Sequence, residues 1–210
     1  FHLDDDHADH PGRIFGAAGD RYEVLTCSVD GRPVRTNADF TVGVAHGPEI
    51  LATADTVVVA AIAPERVTAD LPAEVSAAMD LIPSGARVVS ICTGAFVLAA
   101  LGKLDGRVAT THWCHVDAFR RLFPQVDLTP DVLYVDHGDV LTSAGNAAGI
   151  DLLLHVLRSD HGTEAANRVA RGAVVAPWRA GGQAQFIDRP VPDESDAGTG
   201  PTRAWALGRL

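Results

Sequence analysis

Cys92 is the residue of this sequence best placed to do chemistry. An apolar, β-branched run, Val88-Val89-Ser90-Ile91, ends at this cysteine, and the small residues Thr93 and Gly94 then open an Ala/Leu-rich segment. This order predicts a strand that turns sharply into a helix, as in a nucleophile elbow. In an open α/β sheet, ligands bind at the carboxyl ends of the strands. The sequence therefore predicts a pocket around Cys92.

Cys92 has three candidate roles: a nucleophile, a redox sensor, or a small buried hydrophobic residue. Unpaired N–H groups and the positive dipole end of the following helix would favour a thiolate over a thiol. The N–H groups of Thr93 and Gly94 would also suit an anion or oxyanion site. A tight turn that merely needs small residues explains the same two positions. Catalysis would further require a base or another group that stabilises the thiolate.

Composition and charge exclude several classes of protein. The 210 residues are 47% hydrophobic and 21% charged, which fits a globular chain with a substantial core. No run of about 18 apolar residues occurs, so we expect no membrane span. The net charge of −10 makes this chain a poor partner for the phosphate backbone of nucleic acid. No GxGxxG or Walker-type loop is present, and we expect no bound cofactor.

The cysteines and histidines point to neither a disulfide framework nor a metal site. Three cysteines, an odd number without close pairing, predict a reducing, cytoplasmic environment. Histidines and aspartates concentrate in residues 1–10, but their spacing matches no standard zinc pattern. We therefore expect no metal and a solvated, partly disordered terminus, which holds His2, His7 and His10.

Alternating strand and helix patterns predict a doubly wound, mostly parallel α/β sheet with helices on both faces. Single strands are expected at 22–28, 40–44, 55–61, 86–91 and 108–111, and a hairpin at 132–135 and 140–142. Helices are expected at 71–82, from the elbow to about 102, and at 113–123, 147–161 and 163–171, with Gly162 as a stop signal. Trp113 and Phe119 have the helical spacing of core residues.

Two segments divide the chain into a domain and a linker. Residues 1–189 are expected to form one domain, and 190–201 are rich in proline, glycine and acidic residues. Residues 204–210 regain helical character. This order predicts a linker at 190–210 that leads to another module outside this chain.

Several motifs occur in order from the elbow onward, at 90–100, 102–107, 109–113, 139–145 with 148–151, and 181–186. Over about residues 11–210 this series resembles the ThiJ/PfpI-like, class I glutamine-amidotransferase-like domain. More narrowly, it is similar to the N-terminal half of GlxA-type regulators of the AraC family. The resemblance implies a flavodoxin-like fold and a homodimer with a small-molecule effector. It also implies that DNA is bound only through a helix-turn-helix module absent from this chain.

The resemblance also adds residues to the pocket. His112 ends a predicted strand, and its family counterpart approaches the cysteine, which makes it the candidate base; a packed histidine bonded to backbone is the alternative. Enzymatic relatives such as isonitrile hydratase place a carboxylate four residues before a proline. With Pro11 as that proline, His7 occupies the acid position, so the cysteine–carboxylate pair is broken and His7 becomes a candidate ligand-binding residue. The hydrophobic first strand of the family does not precede Phe1.

Two other functions stay open beside the regulator. One is a cysteine-dependent hydratase or hydrolase of a small carbon–nitrogen substrate, with Cys92 as nucleophile. The other is an oligomerisation scaffold with a vestigial pocket. The motif at 181–186 predicts either a cap on the domain or a dimer contact.

Overall fold

A computed structural model of the chain describes residues 2–3, 10–36, 38–63, 69–185, 202, 205–206 and 208. His7 and the segment 190–201 lie outside these residues. Of the segment 204–210, Trp205 and Ala206 are described with helical backbone.

In the part of the chain that the structure describes, four strands form the sheet that carries the elbow. Their order is β4 (Thr56–Val59), β5 (Arg87–Ile91), β9 (Val140–Ser143) and β8 (Tyr134–Asp136). β5 is parallel to both neighbours, with Val57 opposite Val88 and Val88 opposite Val140. β8 is antiparallel to β9, which confirms the predicted hairpin and places it at the edge. The sheet is therefore mostly parallel, as expected.

Helices cover both faces of this sheet, and the alternation of residues along β5 shows how. Val89 packs in a cluster with residues of α1 (His10–Gly16) and α5 (Ala147–Ala173). Val88 packs in a second cluster on the other side. That cluster includes residues of α2 (Ala73–Met79), α3 (Gly94–Ala100) and α4 (Val116–Leu122). A strand covered on both faces has a continuous run of apolar residues, and this run is why β5 can be predicted from the sequence.

Short elements complete the described fold. β1 (His2–Leu3), β2 (Val34–Thr36) and β3 (Thr41–Val42) form one small sheet, and β6 (Val108–Ala109) pairs with β7 (Asp127–Leu128). Within the described ranges, 3-10 helices occupy Pro48–Thr53 and Trp113–His115. α5 contains non-helical backbone at Gly162, so the prediction of two consecutive helices is confirmed.

Two sequence-based predictions about packing are wrong. The segment 22–28 is not a strand, because its ladder is limited to a single bridge between Cys27 and His46. Val24 and Leu25 there are 36% and 43% exposed, so they are not core residues. Trp113 is 40% exposed, whereas Phe119 is buried. The two residues do not share one α-helix, because Trp113 lies in a 3-10 helix and α4 begins only at Val116, so the expected α-helical spacing does not apply.

Candidate functional site

The elbow at Cys92 is a strained turn held by three hydrogen bonds. Cys92 has φ of 54°, which is unfavourable for a residue with a side chain. Its amide donates to the Ser143 carbonyl at 3.0 Å. Its carbonyl accepts from the Ala95 amide at 3.3 Å and from the Thr111 hydroxyl at 3.0 Å. The side chain is buried, so the surroundings impose both the backbone conformation and the enclosure of the thiol.

Thr93 and Gly94 hold the start of α3 against the end of β4. The Thr93 hydroxyl donates to the Ile62 carbonyl at 2.7 Å and accepts from the Ile62 amide at 2.9 Å. A Cβ on Gly94 would lie 2.5 Å from the Val59 oxygen, so only glycine fits. The turn therefore needs these small residues for structural reasons. An anion site at their amides stays a prediction.

His112 lies on the loop that is bonded to the elbow. Its neighbour Thr111 donates to the Cys92 carbonyl. The imidazole Nδ1 of His112 accepts from the Cys114 amide at 3.3 Å and lies 2.9 Å from the Cys114 sulfur. Burial raises the pKa of the Cys114 thiol, so the protonated sulfur can donate to Nδ1. The ring therefore caps a turn, and its role as a base toward Cys92 stays a prediction.

His10 and Asn146 belong to the surroundings of the elbow and were not predicted. His10 begins α1 rather than lying in a solvated terminus, and its Nδ1 is buried. The His10 Nδ1 and the Ser143 hydroxyl both lie close to Gly149 of α5, since a Cβ at Gly149 would be 3.7 Å from the nitrogen and 3.8 Å from the hydroxyl. Asn146 has φ of 48° at the connection from β9 to α5. Two neighbouring strand ends thus carry strained turns.

The motif at 181–186 caps the domain as far as the structure describes it. The Gly181 carbonyl accepts from the Leu133 amide at 2.7 Å, at the edge where β8 begins. The side chain of Gln185 is buried and bonds to residues on both sides of His112. No local sequence pattern predicts these partners, because they lie 72 and 74 residues away along the chain.

A separate cleft of about 290 Å³ lies between the start of α5 and the segment that follows it. Arg179 donates to the carboxylate of Asp151 there. Burial raises the pKa of Asp151, and the guanidinium opposes this shift. The pair holds the segment after α5 against the first turns of that helix. The remaining lining is mostly apolar, and comprises Ala147, Ile150, Val175 and Ala176.

The described residues offer neither a cluster of metal ligands nor a membrane-spanning helix. Among those residues, no group of three or more His, Cys, Asp or Glu is arranged to hold a metal ion. No helix described there is long and apolar enough to cross a membrane.

The fold and the strained cysteine turn define a class: α/β domains with a cysteine elbow at the carboxyl edge of a parallel sheet. Residues 9–159 match the DJ-1/PfpI family, and the chain belongs to that family. The resemblance inferred from the motifs is therefore confirmed.

Within this family, the chain is similar in sequence both to transcriptional regulators and to an enzyme. The chain is 37% identical over 161 residues to the HTH-type transcriptional regulator CdhR of Pseudomonas aeruginosa, which covers 76% of this chain and 47% of the regulator. It is 37% identical over 91 residues to isonitrile hydratase of Pseudomonas putida, covering 43% of this chain and 38% of the enzyme. The chain thus spans less than half the length of either relative.

A solved structure supports the fold. An AraC family transcriptional regulator from Pseudomonas putida superimposes with a TM-score of 0.68. The match covers 82% of this chain and 94% of that chain, at 19% sequence identity. The predicted flavodoxin-like architecture is confirmed.

Proposed function

We propose that residues 1–189 are the ligand-sensing and dimerisation domain of an AraC-family transcriptional regulator. Residues 190–210 then link it to a helix-turn-helix module outside this chain. The observation that carries this proposal is the match to CdhR, which spans 76% of this chain but leaves more than half of that regulator unmatched. CdhR is an HTH-type regulator, and we place the corresponding helix-turn-helix module of this protein outside residues 1–210.

The charge of the chain supports the assignment of sensing to residues 1–189 and of DNA binding to another module. A net charge of −10 repels the phosphate backbone, so DNA contacts belong to another module. In this proposal a small molecule in the Cys92 pocket, or oxidation of Cys92, changes the geometry of a homodimer in the cytoplasm. The change then reaches DNA through the attached modules.

The test measures self-association and DNA binding of residues 1–210 beside the longer gene product. We expect sedimentation to give twice the mass of the 22.0 kDa chain. We also expect residues 1–210 to retain no specific sequence from a pool of genomic fragments, whereas the longer product selects one. A monomer at every concentration, or tight sequence-specific binding by residues 1–210 alone, would contradict the proposal.

A second candidate is a cysteine-dependent hydratase or hydrolase of a small carbon–nitrogen substrate. The strained backbone of Cys92 favours it, because such strain is found at nucleophile elbows. The similarity to isonitrile hydratase gives the substrate class to try first. Turnover of an isonitrile that is lost in Cys92→Ser and kept in Cys27→Ser would establish this function. No turnover by the unmodified chain would dismiss it for that substrate class.

A further inference from the structure

One buried amide, that of Gln185, joins the segment after α5 to the loop that carries His112. Its nitrogen donates to the carbonyls of Thr111 and Val132, both at 3.1 Å. Its oxygen accepts from the Trp113 amide at 3.2 Å. Since the side chain is only 8% exposed, water cannot readily replace these bonds when they are lost. Gln185 therefore fixes the peptide groups on both sides of His112.

The same loop is bonded to the elbow from its other side. The hydroxyl of Thr111 donates to the Cys92 carbonyl at 3.0 Å, and the Thr110 amide donates to the Thr142 hydroxyl of β9 at 3.0 Å. A continuous path of hydrogen bonds thus runs from Cys92 through Thr111 to Gln185.

The segment that bears Gln185 is itself held along β8. The Tyr134 hydroxyl donates to the Arg179 carbonyl at 3.1 Å. A Cβ on Gly181 would lie 2.7 Å from both the ring and the backbone oxygen of Tyr134, so the segment passes in close contact. Residues 186–189 separate this segment from the proposed linker at 190–210.

We propose that Gln185 is a positioning residue that couples the Cys92 elbow to the chain leading into the linker. This coupling rests on the proposed sensing function: it would connect a change at Cys92 to the chain that leads into the linker. A change at Cys92 that displaces the loop strains the bonds to Gln185. By reciprocity, releasing Gln185 loosens the loop, so the buried Cys92 thiol becomes exposed more often.

The first test is the rate at which iodoacetamide alkylates Cys92 in residues 1–210, followed by peptide mass spectrometry. Because the thiol is buried, this rate reports local opening. Gln185→Met keeps a similar side-chain size and removes the amide, so we expect alkylation of Cys92 about tenfold faster. Gln183→Met, at an exposed position in the same segment, is the matched control and should leave the rate unchanged. Cys27 is the internal reference, because a general loss of stability would accelerate both thiols.

The second test asks whether a change at Cys92 alters the segment 179–185. Alkylating Cys92 should increase hydrogen exchange at 179–185 in the unmodified sequence and in Gln183→Met. It should not do so in Gln185→Met, and the reagent should have no such effect on Cys92→Ser. Should Gln185→Met fail to fold, Thr111→Val breaks the same path at the elbow and should abolish the response.

Equal alkylation rates for Gln185→Met and the unmodified chain, or unchanged exchange at 179–185 after alkylation, would overturn the coupling. Neither measurement involves dimerisation or DNA. A chain that shows the coupling but stays monomeric would refute the proposed function and leave the coupling standing.

Discussion

At the scale of single residues, Gly94 decides whether the elbow can form. A methyl group at this position would meet the backbone oxygens of Val59 and Ala60 at 2.5 and 3.0 Å. Backbone cannot yield as a flexible side chain does, so we expect Gly94→Ala to lower the free energy of unfolding by about 2 kcal/mol. Denaturant unfolding measures the loss. The control is Gly85→Ala, where a Cβ meets nothing within 4 Å and we expect no loss. Similar losses in both variants would show that the close approach does not matter.

Residues of the site were predictable where the signal is local. The apolar run that stops at Cys92, followed by two small residues, is enough to predict the elbow. Gln185 gave no such signal, because its amide partners are set by the tertiary fold, 53 to 75 residues away along the chain. His10 was assigned to a solvated terminus because the residues before it are polar, whereas helix packing buries its Nδ1. The predicted roles of Thr93, Gly94 and His112 in binding or catalysis stay predictions.

At the scale of elements, Gly162 determines the direction of the second half of α5. Its φ of 82° and ψ of 171° are accessible essentially only to glycine. We expect Gly162→Ala to destabilise the domain by about 2 kcal/mol in denaturant unfolding. Gly172→Ala lies in the same element, has open space around its Cβ and lacks a positive φ. This control should instead be stabilised by up to about 1 kcal/mol. A stable Gly162→Ala variant would mean that the two halves straighten into one helix without cost.

Elements were predicted where hydrophobic pattern and packing agree. β5 was found because Val88 and Val89 face two different clusters, which requires apolar residues at both positions. The segment 22–28 has apolar residues of the same kind, but among the described residues its strand pairing is limited to the bridge between Cys27 and His46. Pattern alone does not report whether a partner strand exists, so this strand was predicted wrongly.

At the scale of the whole molecule, Asp160 connects three distant parts of the chain. The two terminal nitrogens of the Arg87 guanidinium, at the start of β5, donate to its carboxylate: Nη2 to Oδ1 at 2.8 Å and Nη1 to Oδ2 at 2.9 Å. The Tyr22 hydroxyl, which follows α1, donates at 2.8 Å. These bonds, with that of Arg87 the strongest, lower the pKa of Asp160 although burial opposes the shift.

The lowered pKa of Asp160 predicts how stability depends on pH. An unfolded aspartate titrates near about 3.9, so the contribution of this carboxylate is complete above that value and is lost as pH falls through the lower, folded pKa. We expect Asp160→Asn to be about 1 kcal/mol less stable near neutral pH, a gap that narrows below about pH 4. Denaturant unfolding across this range measures it. Glu164→Gln is the control, because the side chain of Glu164 is 89% exposed beside Arg168. We expect this substitution to change the free energy of unfolding by no more than about 0.5 kcal/mol at any pH. If the Asp160→Asn gap were constant down to about pH 2, its origin would be packing rather than charge, because protonation of the carboxylate would then leave the interaction unchanged.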